Sequence, residues 1–521
     1  MICRIPLTLV GSADVSGSTH FFTEFMALDL EYEWNHTHST WAGTYQSYPS
    51  FYVKPKSLEE LRQILQYASR YGRRVCVVGC GHSPSTLTCT SAVLINIDYL
   101  DSILDVDQDT KIVTMEAGIR LHDLISRLKP YSLSMPNIGS IDQQSIAGAI
   151  STSTHGSSLR HGLLSQSLLA LKIMLADGSV VRCSKNENLD LFRAALVSLG
   201  ALGIIVEVEF QAAPAFRLQW EQTLLPLTDM LRDWHGDTWK TEFTRCWWMP
   251  YTKKMIRWRA SRTEKPIDPP KTSLLGNISF HMYQFALYIA NWMPFLLPTI
   301  ERFVHVLHYG AKGAGATVMH VQEGPDALLM DCLYSQLVNE WAIPLQRGPE
   351  AITRLSRWLN REECSGIPFS AKGVYVHAPI EVRVTDTSTT TPRPYLDFSV
   401  ADGPTLFLNA TLYRPYHRDP TGWQRYYEAF EWLMKDLGGK PHWAKNFITM
   451  TKPEFRSMYP GLPNWLRVRN KVDPEGKFVG DWHRRHLLDG DTFPLEERMT
   501  ETRSGGKGGD LQWFGEMANS R

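Results

Sequence analysis

The sequence predicts an α+β protein of two domains, and three observations carry that expectation. Helical and strand patterns alternate in short units over residues 57–210. Beyond about residue 215 that regularity is lost, and Pro266–Pro270 and the polar, Thr-rich run Thr385–Pro394 read as loops. The chain has 521 residues, 43% of them hydrophobic and 21% charged, an ordinary globular composition with length for two or three sizeable cores. The expected organisation is an extension and lead-in over 1–50, a first domain over 51–215 and a second over 216–490. A disordered tail over 491–521, carrying Gly505, Gly506, Gly508 and Gly509, completes it.

Each element of the first domain has its own signal. Ser57 and Glu60 stand at capping-box spacing, and Leu58, Leu61, Ile64 and Leu65 then form the apolar face of a helix. Val75–Val78, Val93–Ile97 and Ile112–Ala117 are apolar runs of strand length. Leu121, Leu124, Ile125 and Leu128 mark a second helix, closed by Pro130. After a Gly/Ser/Thr-rich passage over Ile138–Gly162 comes a strand, Leu168–Leu175, and the hairpin signal Asp177-Gly178 leads into Val180–Cys183. A helix near Leu189–Leu196 precedes a last strand, Ile204–Phe210.

Composition excludes several function classes. Lys+Arg and Asp+Glu both number 54, so no net field draws the chain to nucleic acid, and no basic aromatic stripe is present. The eight cysteines are scattered and form no Cys-x-x-Cys pair, which argues against a disulfide framework and against a metal site. Residues 1–28 contain a single Arg, Arg4, and no convincing cleavage site, so they read as an unstructured extension rather than a signal peptide or presequence. From Leu274 to Val306 the chain is apolar and aromatic, with Phe280, Phe285, Trp292 and Phe295. Asn277, His281, Gln284 and Asn291 interrupt this segment, and Pro294 and Pro298 break a spanning helix, which needs about 20 apolar residues. It reads as a buried or membrane-surface helix. Oligomeric state is not legible.

The most informative stretch follows the strand at Val75–Val78: Gly79-Cys80-Gly81-His82-Ser83-Pro84-Ser85. Its glycines let the backbone approach a ligand, consecutive N–H groups suit phosphate oxygens, and His82 offers a nucleophilic imidazole. A nucleotide cofactor, attached covalently or not, is one reading; a tight turn with a surface histidine is the other. A second element of the same kind runs through Pro136-Asn137-Ile138-Gly139-Ser140 to Gly148-Ala149-Ile150-Ser151-Thr152-Ser153-Thr154-His155-Gly156, with Arg160-His161-Gly162 close behind. Neither element has Rossmann or P-loop spacing, which disfavours a nicotinamide dehydrogenase or a P-loop enzyme.

Taken with Glu116-Ala117-Gly118, these loops resemble the flavin domain of the vanillyl-alcohol-oxidase family. Glu381-Val382-Arg383, the box Lys440-Pro441-His442-Trp443-Ala444-Lys445 and the stretch Asp473-Pro474-Glu475-Gly476-Lys477-Phe478 with Asp481-Trp482 resemble the sugar-1,4-lactone oxidases of that family, of the fungal D-arabinono-1,4-lactone and animal L-gulono-1,4-lactone type. The resemblance spans about Trp41–His486. It implies a PCMH/VAO-type FAD-binding domain followed by a substrate-capping domain whose C-terminal segments complete the flavin face. It also implies FAD linked through His82 and surrounded by Gly79, Cys80, Gly81, Ser83, Pro84, Ser85, Gly139, Ser140, Gly148, Ser151, Ser153, Thr154, His155, Gly156, His161, Gly162, Gly203 and Ile205.

The implied activity is oxidation of the C2 hydroxyl of an aldono-1,4-lactone, with dioxygen giving hydrogen peroxide and the product leading to D-erythroascorbate, at a mitochondrial membrane. A dehydrogenase passing electrons to cytochrome c and a non-catalytic flavin or sugar binder are the alternatives. Strand alternation places Glu381 and Arg383 on one face, with Val382 on the other. Arg383 and Lys445 are the cations that favour a reduced, anionic flavin, and Glu381 is a hydrogen-bond or proton acceptor. His442 is a base or a packing residue beside Trp443, and His377 is a candidate pocket residue.

Overall fold

In a computed structural model of the protein, the described residues are 30–270, 276–309, 317–330, 332–377 and 379–489, with Phe25, Leu28 and Gly315. The extension over 1–24, the start of the apolar segment at 274–275 and the tail over 491–521 lie outside them.

The N-terminal part is built on two sheets. Helix α1 (Leu58–Arg70) begins where Ser57 Oγ accepts the Glu60 N–H at 3.2 Å. The Glu60 carboxylate reaches back one residue further than a capping box requires, to the Lys56 N–H. Leu61, Ile64 and Leu65 are fully buried, each contributing about 1.5–3 kcal/mol on burial, whereas Leu58 points outward at 39% exposure. The helix leads into β1 (Val75–Val78), which pairs in parallel with Val93–Asn96, itself parallel to Phe51–Val53. The second sheet is antiparallel, in the order 180–184, 168–174, 204–211, 112–116 and 103–107. Its Met174↔Val180 hairpin turns at Gly178, whose φ of +83° is the left-handed conformation the Asp-Gly signal anticipates. Within the Gly/Ser/Thr passage lies a short helix, α2 (Ile146–Ser151), whose N-cap Ser145 accepts the Gly148 N–H.

The remainder forms one eight-stranded sheet, which the sequence pattern did not disclose. Its centre is β2 (Phe243–Met249), β4 (Ile380–Asp386), β5 (Pro404–Tyr413) and β3 (Gln336–Pro344), side by side and antiparallel. These strands are buried on both faces; β3 and β5 carry no regular alternation, whereas β4, Ile-Glu-Val-Arg-Val-Thr, alternates although its polar side is buried too. Strand β4 takes in Thr385 and Asp386, which sequence assigned to a loop; Thr385 is buried and donates to the His161 carbonyl at 2.9 Å.

The apolar segment after residue 275 is a pair of helices, α3 (Gly276–Ala290) and α4 (Leu297–Tyr309), joined through the turn Pro294–Leu296. Pro298 sits in the first turn of α4, where its missing N–H costs no hydrogen bond. Leu287, Ala290 and Leu297 pack inward on Tyr334, while Phe285, Trp292, Phe295 and Phe303 are exposed. Among the described residues no helix is long and apolar enough to cross a membrane.

Candidate active site

The loop after β1 is held by close contacts that exclude larger residues. A Cβ on Gly79 would come within 2.4 Å of Ser145 Oγ, and Gly81 has φ +65°. His82 stacks on Trp41 at 5.4 Å between ring centroids, and its Nδ1 lies 2.7 Å from Cys80 Sγ. Burial, with the Arg120 charge, pushes the His82 imidazole down to about 4, leaving a neutral ring with an available lone pair. The Pro84 carbonyl accepts from Thr44 Oγ1 at 2.7 Å and from Asn446 Nδ2 at 2.8 Å.

This loop is one wall of a cleft that encloses about 1050 Å³, open solvent at its mouth included. Gly79, Cys80, Gly81, His82 and Ser83 line it, as do Gly148 and Ser151 of α2 and Gly203 and Ile205 beyond. The walls suit a flat nucleotide cofactor. A Cβ at Gly203 would meet the Met174 carbonyl at 2.5 Å, so the backbone itself forms the surface there. Close by in the chain, Ser85 Oγ and Ser153 Oγ are buried with no hydrogen-bond partner among the described residues.

The other loop residues singled out in the sequence lie beyond this lining. Gly139 packs on Thr154, and Thr154 Oγ1 accepts from Gln144. A Cβ on Gly156 would collide with Asn137 Oδ1. His161 is carried away from the cavity: its Nε2 pairs with Glu242 at 3.1 Å and its ring stacks on Phe243, while neighbouring Gly162 abuts Gln166. His377 accepts the Tyr413 N–H, and burial pushes it down to about 3; it packs beneath the α3–α4 helices and does not join the charged groups described next.

Those groups stand on the central strands of the large sheet. Strand pairing sets Trp247, Glu381, Asn409 and Glu340 in one row across β2, β4, β5 and β3, with Arg383 opposite Phe407 one step along. Glu340 Oε1 receives Arg383 Nη2 at 2.6 Å and lies 3.3 Å from His155 Nε2. Its other oxygen lies 3.8 Å from Lys445 Nζ. Arg383 also approaches Glu381 at 3.4 Å and donates to Ser140 Oγ at 3.3 Å and to the His155 carbonyl. Asn409 Nδ2 donates to Glu381 at 3.5 Å. The second loop thus lies directly on the charged face.

The charges hold one another in their ionised forms. Burial alone pushes the Glu340 carboxyl up, but Arg383, His155 and Lys445 together bring it well below the usual carboxylate range. Burial opposes the Arg383 charge, and Glu340 and Glu381 more than restore it. Both imidazoles stay neutral: burial and then Arg383 push His155 down, and burial holds His442 far down. The Ala444 N–H donates to His442 Nδ1 at 3.1 Å, and the backbone N–H of His442 donates to the Glu340 carbonyl. Arg245, on the face of β2 that carries Trp247, lies over Trp258 and is pushed down to about 10 by burial.

Sequence reasoning missed Glu340, Arg245, Asn409 and Phe407. Glu340 left one trace, a charged residue inside the apolar run Leu337–Ile343, where a carboxylate is found only when paired.

Comparison with known proteins agrees with this construction. The family described as D-arabinono-1,4-lactone oxidase matches residues 208–486, and the one described as FAD binding domain matches 49–184. A Neurospora crassa protein provisionally named a D-arabinono-1,4-lactone oxidase is 45% identical, with 92% of each chain covered. The D-arabinono-1,4-lactone oxidase of Yarrowia lipolytica is 38% identical over 87% of this chain and 98% of its own. The L-gulonolactone oxidase of Scyliorhinus torazame is 34% identical over 85% and 96%. The fold is shared with cholesterol oxidase from Brevibacterium sterolicum, at a TM-score of 0.73, 16% identity and 88% and 98% coverage. Between them, these matches account for both the cavity domain and the charged sheet, and they make the chain an FAD-dependent oxidoreductase belonging to the D-arabinono-1,4-lactone oxidase family.

Proposed function

We propose that the chain oxidises the C2 hydroxyl of an aldono-1,4-lactone, D-arabinono-1,4-lactone in the first instance, with dioxygen as acceptor and hydrogen peroxide as product. The observation that carries this reading is the convergence of Glu381, Arg383 and Lys445 around one buried carboxylate, beside a loop hydrogen-bonded to the same sheet. A sugar lactone presents hydroxyls and a ring carbonyl, and this is a donor and acceptor set that matches it.

FAD, held by the glycine and serine walls of the cavity and linked through His82, supplies the hydride acceptor when bound. The chain's own residues do the rest. Arg383, buried, and Lys445, partly buried beside Glu340, supply fixed positive charge, and the buried Arg383 charge is worth more there than in solution. Glu381 Oε1, buried without a hydrogen-bond partner among the described residues, accepts a hydrogen bond from a substrate hydroxyl and so orients the reacting C–H. The apolar outer side of the α3–α4 pair rests on a mitochondrial membrane surface.

The first experiment mixes the purified yellow protein with D-arabinono-1,4-lactone without oxygen, then admits air. Flavin bleaching followed by stoichiometric peroxide supports the reading. Bleaching that persists in air and is relieved only by cytochrome c makes the chain a dehydrogenase, and no bleaching sinks the substrate. Acid precipitation settles the linkage: a yellow pellet supports attachment, and His82→Ala then returns the colour to the supernatant.

A further inference from the structure

His82 is half-buried and borders the cavity, yet hydrogen bonds do little to orient its ring. Its Nδ1 faces Cys80 Sγ at 2.7 Å, and a thiol is both a weak donor and a weak acceptor. Its Nε2 has no hydrogen-bond partner among the described residues. The torsion that turns an imidazole about its stem has broad minima, so a ring tied this weakly swings. What fixes its plane is Trp41. The indole lies within 16° of parallel to the imidazole, in an offset stack with centroids 5.4 Å apart. Such a stack covers one face of the imidazole and leaves uncovered the edge that carries both nitrogens.

Trp41 lies in the segment that sequence read as a lead-in, and that segment is a hairpin held from two sides. His38–Ser39 pair with Gln46–Ser47, and the Gly43 N–H closes the turn on the Thr40 carbonyl at 2.7 Å. On the cavity side, the Trp41 N–H donates to the Gly81 carbonyl at 2.8 Å, and Thr44 Oγ1 donates to the Pro84 carbonyl at 2.7 Å. On the other side stands Arg414, the residue directly after β5, buried and paired with Asp419 at 2.6 Å. Its Nη1 donates to the Ala42 and Gly43 carbonyls at 2.9 and 3.1 Å. The hydroxyl of Ser335, just before β3, donates to the Ala42 carbonyl as well. The indole is therefore presented to His82 from a frame that the cavity loop and the large sheet share.

We propose that Trp41 is the positioning residue for covalent attachment of the flavin, holding the His82 ring at the angle from which a ring nitrogen meets the flavin 8-methyl carbon. This rests on the reading that FAD is linked through His82. In the attachment, one C–H bond of that methyl group and the N–H bond of the neutral imidazole break, and one C–N bond forms. The two protons and two electrons released pass to dioxygen, giving hydrogen peroxide. An imidazole nitrogen presents its lone pair in the plane of the ring, so a ring turned out of the stack aims past the carbon. A displacement of about 1 Å at a reacting atom costs about 10²-fold in rate.

The test compares the full chain with Trp41→Phe and Trp41→Leu, each produced in riboflavin-starved cells, given FAD in air and sampled into acid over time. Colour in the acid pellet reports attachment, the absorbance of desalted protein reports total flavin bound, and thermal melting reports folding. The wild type and Trp41→Phe, which keeps an aromatic face, are expected to attach flavin at comparable rates. Trp41→Leu is expected to bind flavin and melt like the Phe variant, but to attach it about 10²-fold more slowly. Attachment at the wild-type rate in Trp41→Leu overturns the proposal, and so does a Phe variant as slow as the Leu one. A Leu variant that folds but holds no flavin makes Trp41 part of the binding wall and overturns it too. Should the Leu variant show no melting transition, Trp41→Met takes its place and is read in the same way. Each of these outcomes leaves a yellow wild-type pellet and the His82 linkage intact. A wild type whose flavin stays in the supernatant refutes the linkage and the proposal with it.

Discussion

Asn446 donates its side-chain amide to the Pro84 carbonyl at 2.8 Å, joining the loop that bears His82 to the box that bears Lys445 across 362 positions of chain. The same side chain accepts the Val338 N–H at 3.1 Å, two residues before Glu340 on β3. One buried amide thus fixes the cavity wall against the charged sheet. Asn446→Ala leaves the Val338 N–H without its side-chain acceptor and the Pro84 carbonyl with the Thr44 hydroxyl as its remaining side-chain donor among the described residues, at a cost of about 1–3 kcal/mol for the stranded donor. The expected outcome is a lowered Tm and a fall in the fraction of flavin retained in an acid pellet. Thermal melting and the pellet spectrum check it; a wild-type value for both would show that the joint is dispensable.

Arg383 works as a fork as well as a charge, because different nitrogens address Glu340, Glu381 and Ser140. Arg383→Lys keeps the positive charge and loses the geometry, and it is expected to lower kcat by about 10²–10³-fold with flavin still bound. Arg383→Ala is the poorer test, since it strips Glu340 of its main counter-charge and costs about 3–5 kcal/mol of stability. Steady-state kinetics beside the flavin absorbance distinguish the two; undiminished turnover in the Lys variant would reduce Arg383 to a counter-ion.

The first domain was legible because its signals are local. Ser57 with Glu60 and Asp177-Gly178 each act within a few residues, and so do the glycines around His82, and each appears in the structure where the pattern placed it. Glu381 and Arg383 were legible for the same reason, since alternation along a strand is local. The large sheet was not legible, because β3 and β5 are buried on both faces and carry no period-two signal, and the alternation of β4 does not say which strands flank it. Glu340 and Arg245 enter the site through cross-strand register, a long-range property that a single sequence does not reveal.

Acid sensitivity follows from buried neutral histidines. Burial depresses His38 and His483 to about 4 from an ordinary value of 6.5. The unfolded chain binds a proton at each below about pH 6.5 while the folded chain does not. Their stabilisation is therefore present above that pH and is lost as pH falls towards about 4, at about 2 kcal/mol each between pH 7 and 5. Glu301 acts in the opposite sense. Burial raises it to about 7, so its protonated form favours folding at low pH and that contribution is lost as pH rises through 7. Denaturant titrations at several pH values should show a shallower acid loss in His483→Gln and a steeper one in Glu301→Gln; parallel curves would remove both groups from the account.

The paired helices α3 and α4 present Phe285, Trp292, Phe295 and Phe303 at 56%, 70%, 58% and 62% exposure. Exposed apolar side chains scattered singly are ordinary, but these belong to a single helix–turn–helix whose inner side is anchored on Tyr334. Each returns about 1.5–3 kcal/mol when it leaves water, so replacing three of them lowers partitioning into a lipid interface by at least about 10²-fold. The full chain is expected to co-sediment with vesicles of phosphatidylcholine and phosphatidylserine, and the triple variant Trp292→Ser, Phe295→Ser, Phe303→Ser to stay in the supernatant with its flavin and its turnover. The charged face of β4 is built from other strands, so activity and membrane binding should separate cleanly in that variant. Equal recovery of both proteins in the supernatant without detergent would remove the membrane surface from the reading and leave these side chains as a contact for something else.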